Sequence, residues 1–209
     1  MNFTPANIMS FRNTTSHSKH DEDPHESRLG SDFHADISCA GKQAHILEYI
    51  QGLKCTVHPF HESYTPKKDV KLCNVAFAHD LPNGKTILIR MNQCLDFTSI
   101  MEHSLFCTNQ VRANGIIVDD VPKCIDVAQK SEEAIIFPDQ GYMIPFSFKG
   151  PVPYIPVRKP RMSELEDCTH VELTSAEPWI PDLFLDQSVK AQRSDFVTTP
   201  NDLPVGLLQ

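Results

Sequence analysis

Residues Val70 to Asn92 constrain the fold more than any other stretch of the chain. Val70, Leu72, Asn74, Ala76 and Ala78 alternate with Lys71, Cys73, Val75, Phe77 and His79, both sets being partly apolar. Leu81-Pro82-Asn83-Gly84 supplies a turn in which Gly84 is free to take positive φ. The chain then returns through Thr86-Ile87-Leu88-Ile89, apolar and β-branched. The stretch predicts a β-hairpin.

Shorter runs of the same kind surround it. Ala44–Tyr49 and Cys55–Phe60 suit two strands joined by a tight turn at Gly52, and Cys94–Phe97 suits one more. Thr108–Ala113 predicts a short helix with Thr108 as N-cap and Gly115 just past its end. Ile116–Val118 is then expected to re-enter the sheet. Glu133–Pro138, Tyr142–Lys149 and Tyr154–Val157 are β-type runs punctuated by Pro138, Pro151 and Pro153, which predicts edge strands or a hairpin. Ser163, with Glu166 three residues on, has the spacing of a capping box and predicts a helical turn.

The ends read differently. Residues 1–30 gather His17, His20, His25 and several acids without an apolar set to bury, so this segment is expected to be a disordered tail. After Trp179 the composition turns polar again. The expected organisation is a tail over 1–30, an all-β domain over 31–160, an extension with a helical turn over 161–185, and a disordered linker over 186–209. Sixteen prolines against eight glycines fit a modest β-rich core with long irregular ends. A net charge of −8 argues against nucleic-acid binding driven by bulk charge. No apolar run is long enough to span a membrane, and residues 1–31 lack an apolar leader core, so no secretory signal is expected. Seven cysteines at irregular spacing read as reduced thiols, and the expected location is the cytoplasm.

Three groups of residues invite a chemical reading. His17, His20 and His25, and separately His58 and His61 beside Cys55, lack a paired Cys or His set at zinc spacing, so no metal is expected and no other cofactor. Ser38-Cys39 has no local partner motif for a nucleophile. The third group is Ser31-Asp32-Phe33-His34-Ala35-Asp36-Ile37-Ser38, which sets acids among small residues just ahead of the first long apolar-patterned segment.

That third group resembles the active-site turn of retroviral-type aspartic proteases, and more closely the Asp-Ser-His-Ala-Asp-Thr variant of copia-like retrotransposon polyproteins. On that match Asp32 falls at the catalytic aspartate, His34 at the glycine and Ala35 at the alanine. Downstream, His103, Leu105, Phe106, Gln110 and Gly115 fall on the pattern that closes the protease region of these elements. Asp120-Val121-Pro122-Lys123 and Leu173-Thr174-Ser175-Ala176-Glu177-Pro178-Trp179 follow it in the same order. The resemblance covers roughly residues 32–181. It implies a small retropepsin-like closed β-barrel or sandwich with one short helix packed beneath the catalytic turn, and endopeptidase cleavage of a polyprotein.

Aspartic protease chemistry needs two carboxylates sharing one proton. The chain has one such turn, so the resemblance implies a homodimer in which each copy contributes Asp32. Asp36 is the rival acid, expected to cap the turn or face solvent. The chain departs from the family at Phe33, where a hydroxyl residue is usual, and at His34, where glycine is usual, although His34 matches the copia-like variant. Phe106 replaces the second leucine of the downstream pattern, and Leu29-Gly30-Ser31 is short and polar where the strand delivering the aspartate is usually apolar. The competing reading is a catalytically inactive protease-like relic or interaction scaffold.

Overall fold

The computed structural model describes residues 27–58 and 63–181. The described chain is mostly strand, so the protein is all-β. Its strands are β1 (Ser27–Asp32), β2 (Cys39–Ala40), β3 (His45–Val57), β4 (Lys67–Asp80), β5 (Thr86–Asp96), β6 (Ser104–Cys107), β7 (Ile117–Asp119), β8 (Ala134–Phe137), β9 (Tyr142–Pro145), β10 (Ser147–Lys149), β11 (Val152–Val157) and β12 (Thr169–Glu172). Two short helices, α1 (Thr108–Ala113) and α2 (Glu164–Asp167), complete the described elements.

The main sheet runs β10-β11-β1-β6-β2-β5-β4-β3, with β12 pairing parallel to β5. Past the end of β11, Ala78 and Arg158 exchange two backbone hydrogen bonds of 2.9 Å, which brings the β11 end of the sheet back onto β4. The predicted hairpin is β4 and β5, in register from Asp80↔Thr86 to Val75↔Met91. One extra residue in β5 then breaks that register, because Cys73 faces Cys94 while Val75 faces Met91. The bulge reverses which face odd-numbered residues occupy. Ile87, Ile89, Met91 and Cys94 all enter the large core around Phe77 and Phe106, whereas Leu95 and Phe97 join Val70 and Leu72 in a smaller one. Both faces of the hairpin are thereby buried, which accounts for its two apolar sets. Each fully buried Phe or Ile side chain contributes about 1.5–3 kcal/mol.

Several elements differ from expectation. Residues 27–30, assigned from sequence to the tail, form most of β1, because Leu29 is fully buried and pairs with Ile155 on one side and Ser104 on the other. Residues 44–58 do not make two strands about a tight turn, and the end of the second expected strand, Pro59 and Phe60, lies outside the described residues. β3 continues through Gly52, which takes φ of 77° inside a stretch of irregular pairing with β4. β7 does not rejoin the main sheet but pairs with β8, and β9 completes a second, three-stranded sheet. Both flanks of β1 are already taken by β6 and β11, and Val118, Ile135 and Ile144 cover the large core from this second sheet.

Despite Pro153 and Pro156, β11 is an interior strand between β1 and β10. The Pro156 carbonyl accepts from His79 Nδ1 at 2.8 Å rather than pairing across β1, so its nitrogen also faces away from β1, where β10 has already ended. The missing N–H therefore costs no ladder bond. Gly41 is required by space, since a Cβ there would lie 2.5 Å from the His103 carbonyl oxygen. The N-cap of α1 is Cys107, whose Sγ accepts from the Gln110 amide at 3.4 Å, and Thr108 is the first helical residue. Ser163 makes no side-chain cap; the turn of α2 is held instead by Glu164, which accepts from the Arg161 amide at 2.7 Å.

Arg158 ties β4, β11 and α2 together. Its guanidinium donates to both oxygens of Asp80 at 2.8 Å and to both of Glu164 at 2.7 and 2.8 Å. These bonds hold the carboxyl of Asp80 down at about 2 from 3.8, and that of Glu164 at about 2 from 4.5. A carboxyl depressed in the folded state adds stability that is complete above its unfolded pKa and lost as pH falls through the folded one. Stability is therefore predicted to decline between about pH 4.5 and 2. The charges are partly exposed, so Arg158→Met is expected to cost about 1–2 kcal/mol at pH 7. Urea unfolding of both proteins across this pH range checks it: the difference between them should shrink toward pH 2.

Candidate active site

β1 ends at Asp32, paired in parallel with Cys107 at the end of β6, so the turn after Asp32 lies beside the start of α1. Gly30 lets β1 approach β6 closely, since a Cβ there would lie 3.2 Å from Leu105 Cδ2. Asp32 Oδ1 accepts from the backbone amides of His34 at 2.9 Å and Ala35 at 3.2 Å. Both of the other sequence-predicted site residues thus contribute through main chain, closing an Asx turn around the carboxylate. The side chains of Phe33 and His34 are exposed, with their rings 5.2 Å apart.

The far end of the turn is anchored by buried polar groups. The Ser38 amide and Oγ donate to Gln110 Oε1 at 3.0 and 2.8 Å, and Ser38 Oγ accepts from the Cys107 amide at 2.9 Å. Gln110 Nε2 reaches the carbonyls of Asn92 and Gln93, both at 3.4 Å, at the β5 bulge. Gln93 takes φ of 53°, and its amide donates to Asn74 Oδ1 at 2.9 Å.

The segment after β12 fastens to that same bulge. The Thr174 hydroxyl accepts from the Asn92 amide at 2.7 Å and donates to its carbonyl at 2.8 Å. Gln93 Nε2 donates to the carbonyls of Ser175 and Glu177, and Gln93 Oε1 accepts from the Trp179 amide at 2.7 Å. Trp179 Nε1 then donates to the Asp36 carbonyl at 2.7 Å, which grips the turn from outside. A cleft of about 430 Å³ lies beside this contact, lined by Gln110, Ala113, Glu177, Pro178 and Trp179 among others.

Sequence reasoning placed Gln110 and the Trp179 segment on the family pattern but gave Asn92 and Gln93 no role. In Arg90-Met91-Asn92-Gln93-Cys94-Leu95 the signal was the adjacent polar pair Asn92-Gln93, which breaks the alternation between Met91 and Cys94.

The two thiols nearest the carboxylate are poor nucleophiles. Burial, together with the charges of Asp32 and Cys107, pushes Cys39 up to about 12. Burial likewise raises Cys107, against the amides of Gln110 and Asn109 that lower it. Ser38 is fully buried with its hydroxyl committed on both sides. All seven cysteines are free thiols.

Among the described residues no second carboxylate hydrogen-bonds to Asp32. Asp36 is exposed, and Asp120 accepts from Ser31 Oγ at 3.3 Å while facing Arg112 at 3.7 Å. Ser31 Oγ also lies 2.9 Å from Thr108 Oγ1, which fastens β1 to the first residue of α1.

His17, His20, His25 and His61 lie outside the described residues, and among those described no group of three or more His, Cys, Asp or Glu is arranged to hold a metal ion. No described helix is long and apolar enough to cross a membrane. Comparison of the chain with protein-family models, curated proteins and solved structures finds no match.

The lock on Ser38 gives a direct prediction. Gln110→Leu fills similar volume but leaves the Ser38 amide and hydroxyl without their acceptor. It is expected to destabilise the fold by roughly 2–5 kcal/mol, since each buried group left unpaired costs about 1–3 kcal/mol. Trp179→Phe removes a single, more exposed hydrogen bond and should cost only about 1 kcal/mol. Denaturant midpoints at constant slope measure both.

Proposed function

We propose that this chain is an aspartic protease-like domain of the copia-like retrotransposon type, acting in the cytoplasm as an endopeptidase on polyprotein segments, with its site assembled from two copies. The observation that carries the reading is the seat of Asp32. It closes a strand paired in parallel with the strand that leads into α1, on a turn closed at its start by Asp32 Oδ1 and held at its far end by buried and ring-donated hydrogen bonds. The closed retropepsin-like barrel implied by the motifs is supported by the return of the β11 end onto β4 through Ala78 and Arg158.

In the assembled site, two Asp32 carboxyls across a two-fold axis share one proton. The ionised carboxylate takes a proton from a water that attacks the peptide carbonyl. The protonated one donates to the carbonyl oxygen as the tetrahedral centre forms, and a proton then passes to the leaving nitrogen. The amides of His34 and Ala35 hold Oδ1, which fixes the carboxylate's direction and leaves Oδ2 for the water.

The second reading, a protease-like scaffold without catalysis, is favoured by Phe33, which offers no hydroxyl beside the dyad. The two separate on one experiment. Incubation with a peptide library at pH 4–7 is expected to give pepstatin-sensitive cleavage that falls by about 10²–10⁴-fold or more in Asp32→Asn. A folded protein whose cleavage ignores that substitution, or that cleaves nothing, leaves the scaffold.

A further inference from the structure

We propose that the acidic stretch directly ahead of β1, Asp21-Glu22-Asp23-Pro24-His25-Glu26, docks within its own chain over a basic pocket on the face of β1 opposite Leu29. The stretch lies outside the described residues, so the pocket and the sequence before it carry the argument. The role of Asp32 plays no part in it.

The pocket holds about 210 Å³ between Leu105, Val152 and Tyr154, and three basic side chains, Arg28, His103 and Lys149, line it as well. Among the described residues no acid lines it, in a chain with 27 Asp and Glu against 19 Lys and Arg. Glu102, next to His103, is paired instead with Lys42 at 2.6 Å. The Arg28 guanidinium lies over the Tyr154 ring, 4.8 Å from its centre. Such stacking engages the flat face of a guanidinium and orients its N–H edge, the part that matches a carboxylate. His103 Nδ1 is buried and has no hydrogen-bond partner among the described residues. A pocket built this way selects carboxylates.

Position and charge name the occupant. Four of the six residues before Ser27 are acids, and Ser27 adjoins Arg28 at the pocket's edge. The pocket reaches to Val152, two positions past the Gly30↔Tyr154 pair. That is roughly 17 Å along the strand from Ser27, at about 3.4 Å per residue. The 26 residues ahead of Ser27 can span this several times over. A segment tethered so closely acts at an effective concentration on the order of millimolar, so it fills even a weak carboxylate site ahead of free anions.

The test uses the full-length chain. A zero-length carbodiimide joins a lysine amine to a carboxylate in contact with it, and mass spectrometry maps the amide formed. Mixing isotopically light and heavy chains separates bonds within a chain from bonds between chains. Lys149 is expected to couple to the acids of residues 21–26 within one chain, roughly tenfold or more above exposed Lys85 or Lys130. High salt should lower that excess several-fold by screening, as should Arg28→Gln, whose fold thermal unfolding checks. A second variant leaves the described fold untouched: Asp21→Asn, Glu22→Gln, Asp23→Asn and Glu26→Gln together. A labelled peptide of residues 20–26 should bind this variant about tenfold more tightly than wild type, because the competing leader has lost its charge.

Coupling spread evenly over the surface lysines overturns the proposal. Coupling only between differently labelled chains also overturns it, since the occupant is then the leader of a second copy. Equal peptide binding by wild type and the neutralised variant does the same, because the leader is then not in the pocket.

Discussion

One extra residue in β5 sets much of what surrounds the candidate site. At Asn92–Gln93 the backbone leaves its ladder with β4, and its peptide groups have to find partners elsewhere. They find them in Gln110 from α1, in Thr174 after β12, and in Asn74 on the facing strand. Three parts of the chain far apart in sequence are thereby bound to one irregularity. A regular strand there would satisfy its own ladder and leave Gln110 Nε2 and the Thr174 hydroxyl without these partners. The bulge also turns Leu95 and Phe97 toward the smaller core, so the same residue count that positions the site divides the apolar residues between two clusters.

The turn bearing Asp32 takes its stiffness from this lock. It touches the bulge through two intermediaries, Gln110 at Ser38 and Trp179 at Asp36, while its own carboxylate accepts from the amides of His34 and Ala35. Such a turn presents a carboxylate in a set direction but supplies only one. Neither Asp36 nor Asp120 is bonded to it, and the neighbouring thiols are held protonated. Chemistry that requires two carboxylates therefore needs a second copy of the chain under the proposed function.

Features carried by local pattern were legible in the sequence. The hairpin announced itself through Pro82-Asn83-Gly84 between apolar runs, and α1 through Thr108 at its start and Gly115 past its end, although the cap is Cys107. Features set by distant partners were not. Leu29 reads as a lone apolar residue in a polar leader until Ile155 and Ser104 flank it. Gly52 reads as a turn, yet β4 holds the chain extended on either side of it. The run Tyr154–Val157 reads as an edge strand because sequence cannot show that the Pro156 nitrogen faces a gap in the pairing. At the site, Asp32, His34 and Ala35 were visible as a motif, but their roles were not: His34 and Ala35 act through backbone amides, and the residues that steady the turn lie at positions 92, 93, 110 and 179.

The central claim is that one copy of this chain holds half of a site. Mixing wild-type chains with Asp32→Asn chains in varied proportion at fixed total concentration, after exchange of subunits, tests it most directly. If each active unit needs Asp32 from both copies, cleavage falls as the square of the wild-type fraction, to a quarter at an equal mixture. Cleavage that falls in simple proportion to that fraction would contradict the account, because each chain would then be acting alone.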